Sequence, residues 1–347
     1  MEKNNVMVSI VCATYNHEKF IPDALNSILM QKTDFDFEVL IGEDCSTDNS
    51  RAVLKDFEAR YPGKFQMFYR ETNYGAAKNV LDLYQRTRGK YLISLETDDF
   101  WVDPNKLQKQ VDFLESHPEF VSVAHPCIMV DENGECLGLR YPECRRREYR
   151  LREFRRGLFP GQTTTLLSRN FYRSDAPFAN DFVTDPLYMK GPGDTRRNFM
   201  LVSNGRVACL PDVMSAYRFN NATGSSFTAT QDRNFETKLA LKRNFVDYAN
   251  DRLKKKQSIY SAEFVLLHSL LGYCLKRKIS VKQLIGECKK LHYPVKTAVA
   301  VAGSYVSLVF KRLVGKHKTY QALNPKTKKQ YCEILERFRK TTRENSK

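Results

Sequence analysis

The sequence of 347 residues has no C-x-x-C pair, and its nine cysteines show no spacing typical of a zinc site. Its longest run without a charged residue is 297–310, which has fourteen residues. A membrane-spanning helix needs about 20 apolar residues. Acidic and polar residues precede an N-terminal apolar run of only about eight residues. We therefore expect reduced thiols in a cytosol, no signal peptide and no transmembrane helix.

The composition and the charge distribution describe a globular chain with a basic end. Hydrophobic residues make up 42% and charged residues 28% of the chain, which excludes a disordered or collagen-like protein. Residues 1–250 contain 33 basic and 34 acidic side chains, whereas residues 251–347 contain 23 and 6. This asymmetry predicts a neutral catalytic or binding body with a basic annex that meets an anionic surface.

Apolar runs alternate with helical patterns over the first hundred residues. The predicted strands are 6–13, 37–41, 65–69 and 91–95, and the helices between them are 22–31, 50–61 and 76–87. This alternation predicts an α/β fold with a mainly parallel sheet flanked by helices. Ligands are expected at the carboxyl ends of its strands.

The later segments predict a further helix at 106–116, one strand over 120–130, and helices from about residue 235 to the end. The arginine-rich stretch 140–156 is typical of a solvated helix face with ion pairs, and a phosphate or acceptor contact is the alternative. We place one domain at 1–230 and a helical, basic C-terminal extension at 231–347.

Two acidic clusters follow predicted strands, Glu43-Asp44 after one and Glu96-Thr97-Asp98-Asp99 after another. Parallel strands would bring both clusters to one edge of the sheet, where clustered carboxylates destabilise each other's charged forms. A hard divalent cation relieves this repulsion, because Mg²⁺ or Mn²⁺ binds carboxylates together with the phosphates of a substrate. The alternative is that these acids only cap the following helices.

Five segments in order resemble a family 2 glycosyltransferase with the GT-A fold. They are Val8-Ser9-Ile10-Val11, Thr14-Tyr15-Asn16, Glu43-Asp44 with Ser46-Thr47-Asp48, Asn73-Tyr74-Gly75, and Glu96-Thr97-Asp98-Asp99. The resemblance covers residues 6–130, and more loosely 160–230. Ala13 stands where the family often has proline, and Glu43 replaces the first aspartate of a common pair.

The resemblance implies roles for residues along this edge. The implied nucleotide-sugar-binding residues are Thr14, Tyr15, Asn16, Glu43, Asp44, Asn73, Gly75, Lys78, Asp98 and Arg218. The implied ligands of Mg²⁺ or Mn²⁺ are Glu96, Asp98 and Asp99. Structural alternatives are a strand-end turn at 14–15, a helix cap for Asp44, an Asn-x-Gly turn at 73–75 and a solvated Lys78.

The catalytic base is expected later in the chain. Gly193-Asp194-Thr195 resembles the family segment in which a Gly-Asp pair supplies the base, so Asp194 is the predicted base and Asp185 is its rival. Trp101 either stacks on a sugar or anchors its loop in the core. Structural roles are expected for His17 and His125.

The implied activity is metal-dependent, inverting transfer of a sugar from a nucleotide-diphosphate donor, a UDP-sugar, to a saccharide or lipid-linked acceptor in cell-surface polysaccharide synthesis. A nucleotidyltransferase is disfavoured because its Gly-rich, Arg-containing loop is missing after the first strand. A Rossmann dehydrogenase is disfavoured because no G-x-G-x-x-G follows a strand. A non-enzymatic nucleotide-sugar-binding or membrane-associated protein with the same fold is the remaining alternative.

The C-terminal segment 295–313 has an apolar face with basic flanks, a pattern that favours an anionic membrane interface. The alternative is that the apolar face packs on the catalytic domain. No nucleic-acid-binding module accompanies the charge, so no nucleic acid partner is expected. We expect a cytoplasmic protein, peripheral on the inner face of the plasma membrane.

Overall fold

The computed structural model describes residues 6–141, 144, 146–172, 193–219, 235–313 and 321–345, with the side chains of 193–194, 306–313 and 344–345 left outside the description. The strands are β1 (Val8–Thr14), β2 (Phe37–Glu43), β3 (Gln66–Tyr69), β4 (Tyr91–Ser94), β5 (Phe100–Trp101), β6 (Phe120–Ala124), β7 (Cys127–Val130), β8 (Cys136–Arg140), β9 (Glu148–Tyr149), β10 (Leu167–Arg169), β11 (Arg206–Cys209), β12 (Ser215–Arg218) and β13 (Gln321–Ala322).

The helices interleave with these strands and then dominate the C-terminal region. They are α1 (Ile21–Leu29), α2 (Ser50–Arg60), α3 (Ala76–Gln85), α4 (Lys106–Ser116), α5 (Leu151–Arg155), α6 (Gly193–Asn204), α7 (Phe235–Tyr248), α8 (Lys256–Leu275), α9 (Val281–Cys288), α10 (Pro294–Leu313) and α11 (Pro325–Asn345).

An eight-stranded sheet in the order β3-β2-β1-β4-β10-β6-β11-β9 carries the site. β1 lies between β2 and β4 and is parallel to both. Its β-branched, apolar residues suit this position, since a central parallel strand is covered on both faces. β10 is antiparallel to β4 and β6, so the sheet is mixed. The predicted α/β fold with flanking helices is confirmed.

The single strand predicted over 120–130 is wrong, because the chain breaks at His125-Pro126 into β6 and β7. Pro126 has no N–H to donate to a sheet. β6 belongs to the large sheet, whereas β7 belongs to a second sheet in the order β13-β8-β7-β12-β5. The break carries the chain from one sheet to the other beneath the acidic loop that precedes β5.

A continuous helix over 140–156 is also wrong, because this stretch contains the end of β8, the short strand β9 and the five-residue helix α5. The expected ion pairs are present. Arg206 Nε donates to Glu148 Oε1 at 2.9 Å, and Arg150 pairs with the same carboxylate. These two arginines hold the pKa of Glu148 at about 2.

The helices α7 and α11 of the C-terminal region both pack on the α/β layer through aromatic side chains. Phe245 of α7 stacks on Phe199 of α6 at a ring distance of 4.7 Å. α11 returns to contact α1 and β8, and its Phe338 stacks on Phe100 of β5 at 4.7 Å. Leu335 and Phe338 are therefore part of the main core of the layer. The expected boundary near residue 230 is thus bridged by side-chain packing.

Replacing Phe338 by alanine is expected to lower the free energy of unfolding by about 3–5 kcal/mol, because the side chain is buried and a cavity would remain. Phe338→Leu is the matched control and should cost about 1.5 kcal/mol or less. Urea unfolding of both variants measures the difference. Equal stability of Phe338→Ala and the parent chain would show that α11 does not pack on Phe100.

Candidate active site

The loops that follow β1, β2 and β4 meet at one edge of the large sheet. Asp44 N–H donates to the Thr14 carbonyl at 3.0 Å, and the Thr97 hydroxyl donates to Thr14 Oγ1 at 3.1 Å. His17 Nδ1 lies 2.8 Å from the same Thr97 oxygen. The predicted convergence of the two acidic clusters at one edge is therefore confirmed.

Asn16 and Glu43 hold the loop after β2 in place by hydrogen bonds. Asn16 has a φ of 56°, a left-handed conformation that asparagine tolerates, and its Oδ1 accepts from Thr47 N–H at 2.8 Å. Glu43 is fully buried and accepts from Ser46 N–H and Arg51 Nε, each at 2.6 Å. Both carboxylate oxygens of Glu43 thus hold the loop in shape, and its nucleotide contact stays a prediction.

The Asp44 carboxylate holds the next loop. Tyr74 N–H donates to Asp44 Oδ1 at 2.7 Å, and the adjacent Gly75 has a φ of 76°, which a residue with a side chain rarely adopts. Lys78 Nζ lies 4.1 Å from the centre of the Tyr74 ring. Tyr15 and Tyr74 are exposed by 43% and 38%. The edge therefore offers the exposed Tyr15 ring, a held carboxylate, and the Lys78 ammonium group packed over the Tyr74 ring.

The acidic loop after β4 holds three carboxylates close together. One oxygen from each of Glu96, Asp98 and Asp99 lies within 4.8 Å of the others. Asp99 is 1% exposed, and its oxygens accept from Arg218 N–H at 2.8 Å and Gln162 Nε2 at 2.9 Å. Burial, and then the charges of Asp98 and Glu96, raise the pKa of Asp99 well above its ordinary value. Oxygen ligands that repel one another when ionised fit Mg²⁺ or Mn²⁺.

This raised pKa predicts a pH-dependent response to metal. The folded chain keeps the Asp99 proton at pH values where the unfolded chain has already lost it, so stability falls as the pH rises from the ordinary aspartate pKa towards the raised one, above which the cluster carries an additional charge. A divalent cation offsets that penalty. The increase in melting temperature caused by Mn²⁺ should therefore grow as the pH rises from about 5 to 8. A Mn²⁺ effect that is equal across this range, or unchanged in Asp98→Asn, would contradict the assignment.

The Arg218 side chain joins the acidic loop to two neighbouring segments by hydrogen bonds. Its Nε donates to the Asp98 carbonyl at 2.8 Å, Nη1 to the Glu132 carbonyl at 2.8 Å, and Nη2 to Asp23 Oδ2 at 2.9 Å. The side chain is 3% exposed, and the guanidinium lies 4.5 Å from the centre of the Phe20 ring. With each nitrogen bonded inside the protein, Arg218 acts in this structure as a positioning residue for Asp98.

Arg218→Lys should lower the free energy of unfolding by about 2–3 kcal/mol, since an ammonium cannot reproduce the planar fork of donors. It should also reduce the Mn²⁺-induced rise in melting temperature, which a purely structural loss would leave intact. Arg206→Lys is the matched control on a more exposed pair and should change the free energy of unfolding far less. An unchanged Mn²⁺ response in Arg218→Lys would contradict the claim that Arg218 positions Asp98.

Trp101 anchors the loop in the core, since it is fully buried and its indole donates to Thr164 Oγ1 at 3.0 Å. The alternative of stacking on a sugar is excluded in this conformation. His125 is also fully buried, and burial and the charge of Lys106 lower its pKa well below the ordinary value. Both residues have the structural role that the sequence allowed.

The predicted base is only partly described. Asp194 is the second residue of α6, and its side chain lies outside the described part of the chain, as does the whole of Asp185. Two further residues of the site escaped the sequence analysis. Gln162 orients Asp99, and Asp23 pairs with Arg218. Neither belongs to a motif, so no signal in the sequence could have found them.

The parallel β-α units that end at an acidic edge define a GT-A fold. The structure of S. aureus TarS (residues 1–349) in complex with UDP-GlcNAc superposes with a TM-score of 0.56 and 17% identity, covering 98% of this chain and 92% of TarS. At this identity the likeness establishes the fold. Residues 9–174 match the family model "Glycosyl transferase family 2", in agreement with the resemblance of the sequence.

The relatives in sequence agree with this assignment. An uncharacterized protein of Mycobacterium bovis is 34% identical over 232 residues, which are 65% of this chain and 62% of the relative. The putative teichuronic acid biosynthesis glycosyltransferase TuaG of Bacillus subtilis is 34% identical over 108 residues, 31% of this chain and 42% of TuaG. The chain thus spans less than two thirds of the length of these relatives.

Proposed function

We propose that this protein transfers a sugar from a nucleotide-diphosphate donor, a UDP-sugar, to a saccharide or lipid-linked acceptor with inversion at the anomeric carbon. The observation that carries this proposal is the approach of Glu96, Asp98 and Asp99 to one another at the sheet edge that also holds Asp44 and the loop it binds. A site for a diphosphate and its cation would then adjoin a site for the base and ribose.

The donor would lie along this edge with its parts in separate places. Tyr15 offers an exposed ring against which a base can stack. Among the described residues Asp44 Oδ2 has no partner, so this oxygen can accept a hydrogen bond from the nucleoside. Lys78 supplies positive charge for a phosphate oxygen. TarS was solved with UDP-GlcNAc and with UDP, which supports a uridine nucleotide as the donor of this chain.

Mg²⁺ or Mn²⁺ held by Glu96, Asp98 and Asp99 would stabilise the negative charge of the departing diphosphate. The protein's own residues hold the reactants in line. The acceptor hydroxyl oxygen attacks the anomeric carbon as the bond to the diphosphate oxygen breaks, and the hydroxyl proton passes to the Asp194 carboxylate. The products are the glycoside and the nucleoside diphosphate.

The acceptor is proposed to belong to a cell-surface polysaccharide. The names of TuaG and of the putative glycosyltransferase EpsE of Bacillus subtilis support this class of pathway. A growing bacterial polysaccharide carried on lipid would place the enzyme in the cytoplasm at the inner face of the plasma membrane. The basic C-terminal region is consistent with that location.

A donor-consumption assay tests the proposal. The purified chain is incubated with Mn²⁺, a mixed pool of nucleotide-sugars and a membrane extract, and mass spectrometry follows each donor. Consumption of one donor with matching release of its nucleoside diphosphate is expected, and Asp98→Ala should abolish it. Tight UDP binding without consumption of any donor would favour the non-enzymatic binding protein instead.

A further inference from the structure

The outer surface of α9 and α10 is unusually apolar for an exposed surface. Among the described residues, eight large hydrophobic side chains are exposed, and five of them lie between residues 275 and 299. They are Leu275 (67% exposed), Val281 (62%), Ile285 (51%), Val295 (76%) and Val299 (69%). We call these five side chains the valine face.

The exposure follows from how each helix packs on α8. α10 turns Thr297 and Val301 inward, where both are buried, while Val295 and Val299 fall on the opposite stripe. α9 likewise packs Leu284 and Cys288 against the helical core. The outer stripes of both helices therefore point away from α8 and remain uncovered by the described residues.

Cations surround the valine face. Residues 254–299 contain ten Lys and Arg but only two acids. One acid, Glu263, is fully buried and accepts from Tyr293 N–H at 3.1 Å, and the other, Glu287, pairs with Arg243 at 3.1 Å. Among the described residues, the exposed Lys276, Arg277, Lys282 and Lys289 have no carboxylate partner. The charge around the apolar stripe is uncompensated.

We propose that the valine face and these cations form the binding site for an anionic phospholipid surface. Apolar side chains that enter the headgroup region and lysines that meet anionic lipid together give a helix its interfacial affinity. A second copy of the chain fits this surface less well, because pairing two such faces would bring like charges together. The inference deepens the proposed membrane location and rests on it for its biological role.

α8 does not cross the membrane in this proposal, although its last residue, Leu275, belongs to the valine face. By length and composition it could cross a membrane, yet half of its apolar window is buried inside the protein. It packs against α5, α7 and α10 and contains the buried Glu263. Attachment is therefore peripheral, through Leu275 at the end of α8 and through α9 and α10.

Vesicle co-sedimentation of the full chain tests this surface. The parent chain should bind phosphatidylglycerol-containing vesicles and leave phosphatidylcholine vesicles unbound. Lys282→Glu with Lys289→Glu should reduce the partition coefficient about 30-fold or more, and Val295→Ser with Val299→Ser should reduce it about tenfold. Lys32→Glu with Lys64→Glu, two exposed lysines of the α/β layer, is the charge-matched control and should bind like the parent.

Titration with UDP and Mn²⁺ on the same preparations separates the two proposals. Unchanged UDP binding in the lysine variant shows that it is folded, so its loss of vesicle binding supports the surface. Equal vesicle binding by the lysine variant and the control would overturn the proposal that this surface binds anionic phospholipid. So would light scattering that shows a dimer broken by Val295→Ser with Val299→Ser while vesicle binding persists. If the parent chain binds vesicles but fails to bind UDP, the membrane-binding proposal is supported and the proposed transferase function is contradicted.

Discussion

Asp98→Ala is expected to weaken the binding of UDP in the presence of Mn²⁺ by about 100-fold or more. Substituting residues that only hydrogen-bond a metal ligand already lowers metal affinity by about 10–100-fold, and Asp98 is a proposed ligand itself. Asp98 is one of the three carboxylates whose oxygens approach within 4.8 Å. Its removal takes away a ligand and also relieves the repulsion on Asp99. Isothermal titration with UDP, with and without Mn²⁺, measures the change.

Asp56→Ala is the matched control for this substitution. Asp56 lies on α2, is 61% exposed and pairs only with Arg60 of its own helix, so UDP binding should stay at the parent value. In Asp98→Ala, the residual affinity for UDP should no longer respond to Mn²⁺. Parent-like, Mn²⁺-dependent binding by Asp98→Ala would move the metal site away from this loop.

Asp194→Asn is expected to lower the turnover number by about 10²–10⁴-fold while UDP binding with Mn²⁺ stays at the parent value. The amide keeps the size of the side chain but cannot accept the proton of the acceptor hydroxyl. Asp194 is the second residue of α6, and asparagine also suits the first turn of a helix, so we expect the fold to be unchanged. Steady-state transfer rates and UDP titration on one preparation supply both measurements.

Asp185→Asn tests the rival base under the same assay. Parent turnover in Asp185→Asn together with the loss in Asp194→Asn assigns the proton acceptor to α6. The reverse pattern would assign it to Asp185. Loss of UDP binding in Asp194→Asn would indicate a role in holding the donor, contrary to the proposed mechanism.

The position of the acidic residues at one edge of the sheet could be predicted from the sequence, because the patterns that specify it are local. Continuous apolar runs specify buried parallel strands, and the residues that end them must share one edge. The meeting of Asp44 and the acidic loop around Asp98 follows from that geometry alone. Thr14, Thr97 and the loop hydrogen bonds add the detail that a strand order cannot give.

The parts that escaped prediction depend on long-range contacts. Gln162 reaches Asp99 across 63 positions, and Arg218 reaches Asp23 across 195. No periodicity records such pairings. The diphosphate contact of Arg218 stays a prediction, whereas the hydrogen bonds of its buried guanidinium to Asp98, Glu132 and Asp23 could not be predicted from its place at a strand end. The packing of Phe338 on Phe100 is of the same long-range kind.

Titration of the parent chain with UDP in Mn²⁺ and again in EDTA tests the central claim most directly. The carboxylate cluster and the neighbouring nucleoside site at Asp44 should act as one site. Mn²⁺ should therefore tighten UDP binding, and UDP should tighten Mn²⁺ binding by the same factor. UDP binding of equal strength in Mn²⁺ and in EDTA, or none in either, would contradict it.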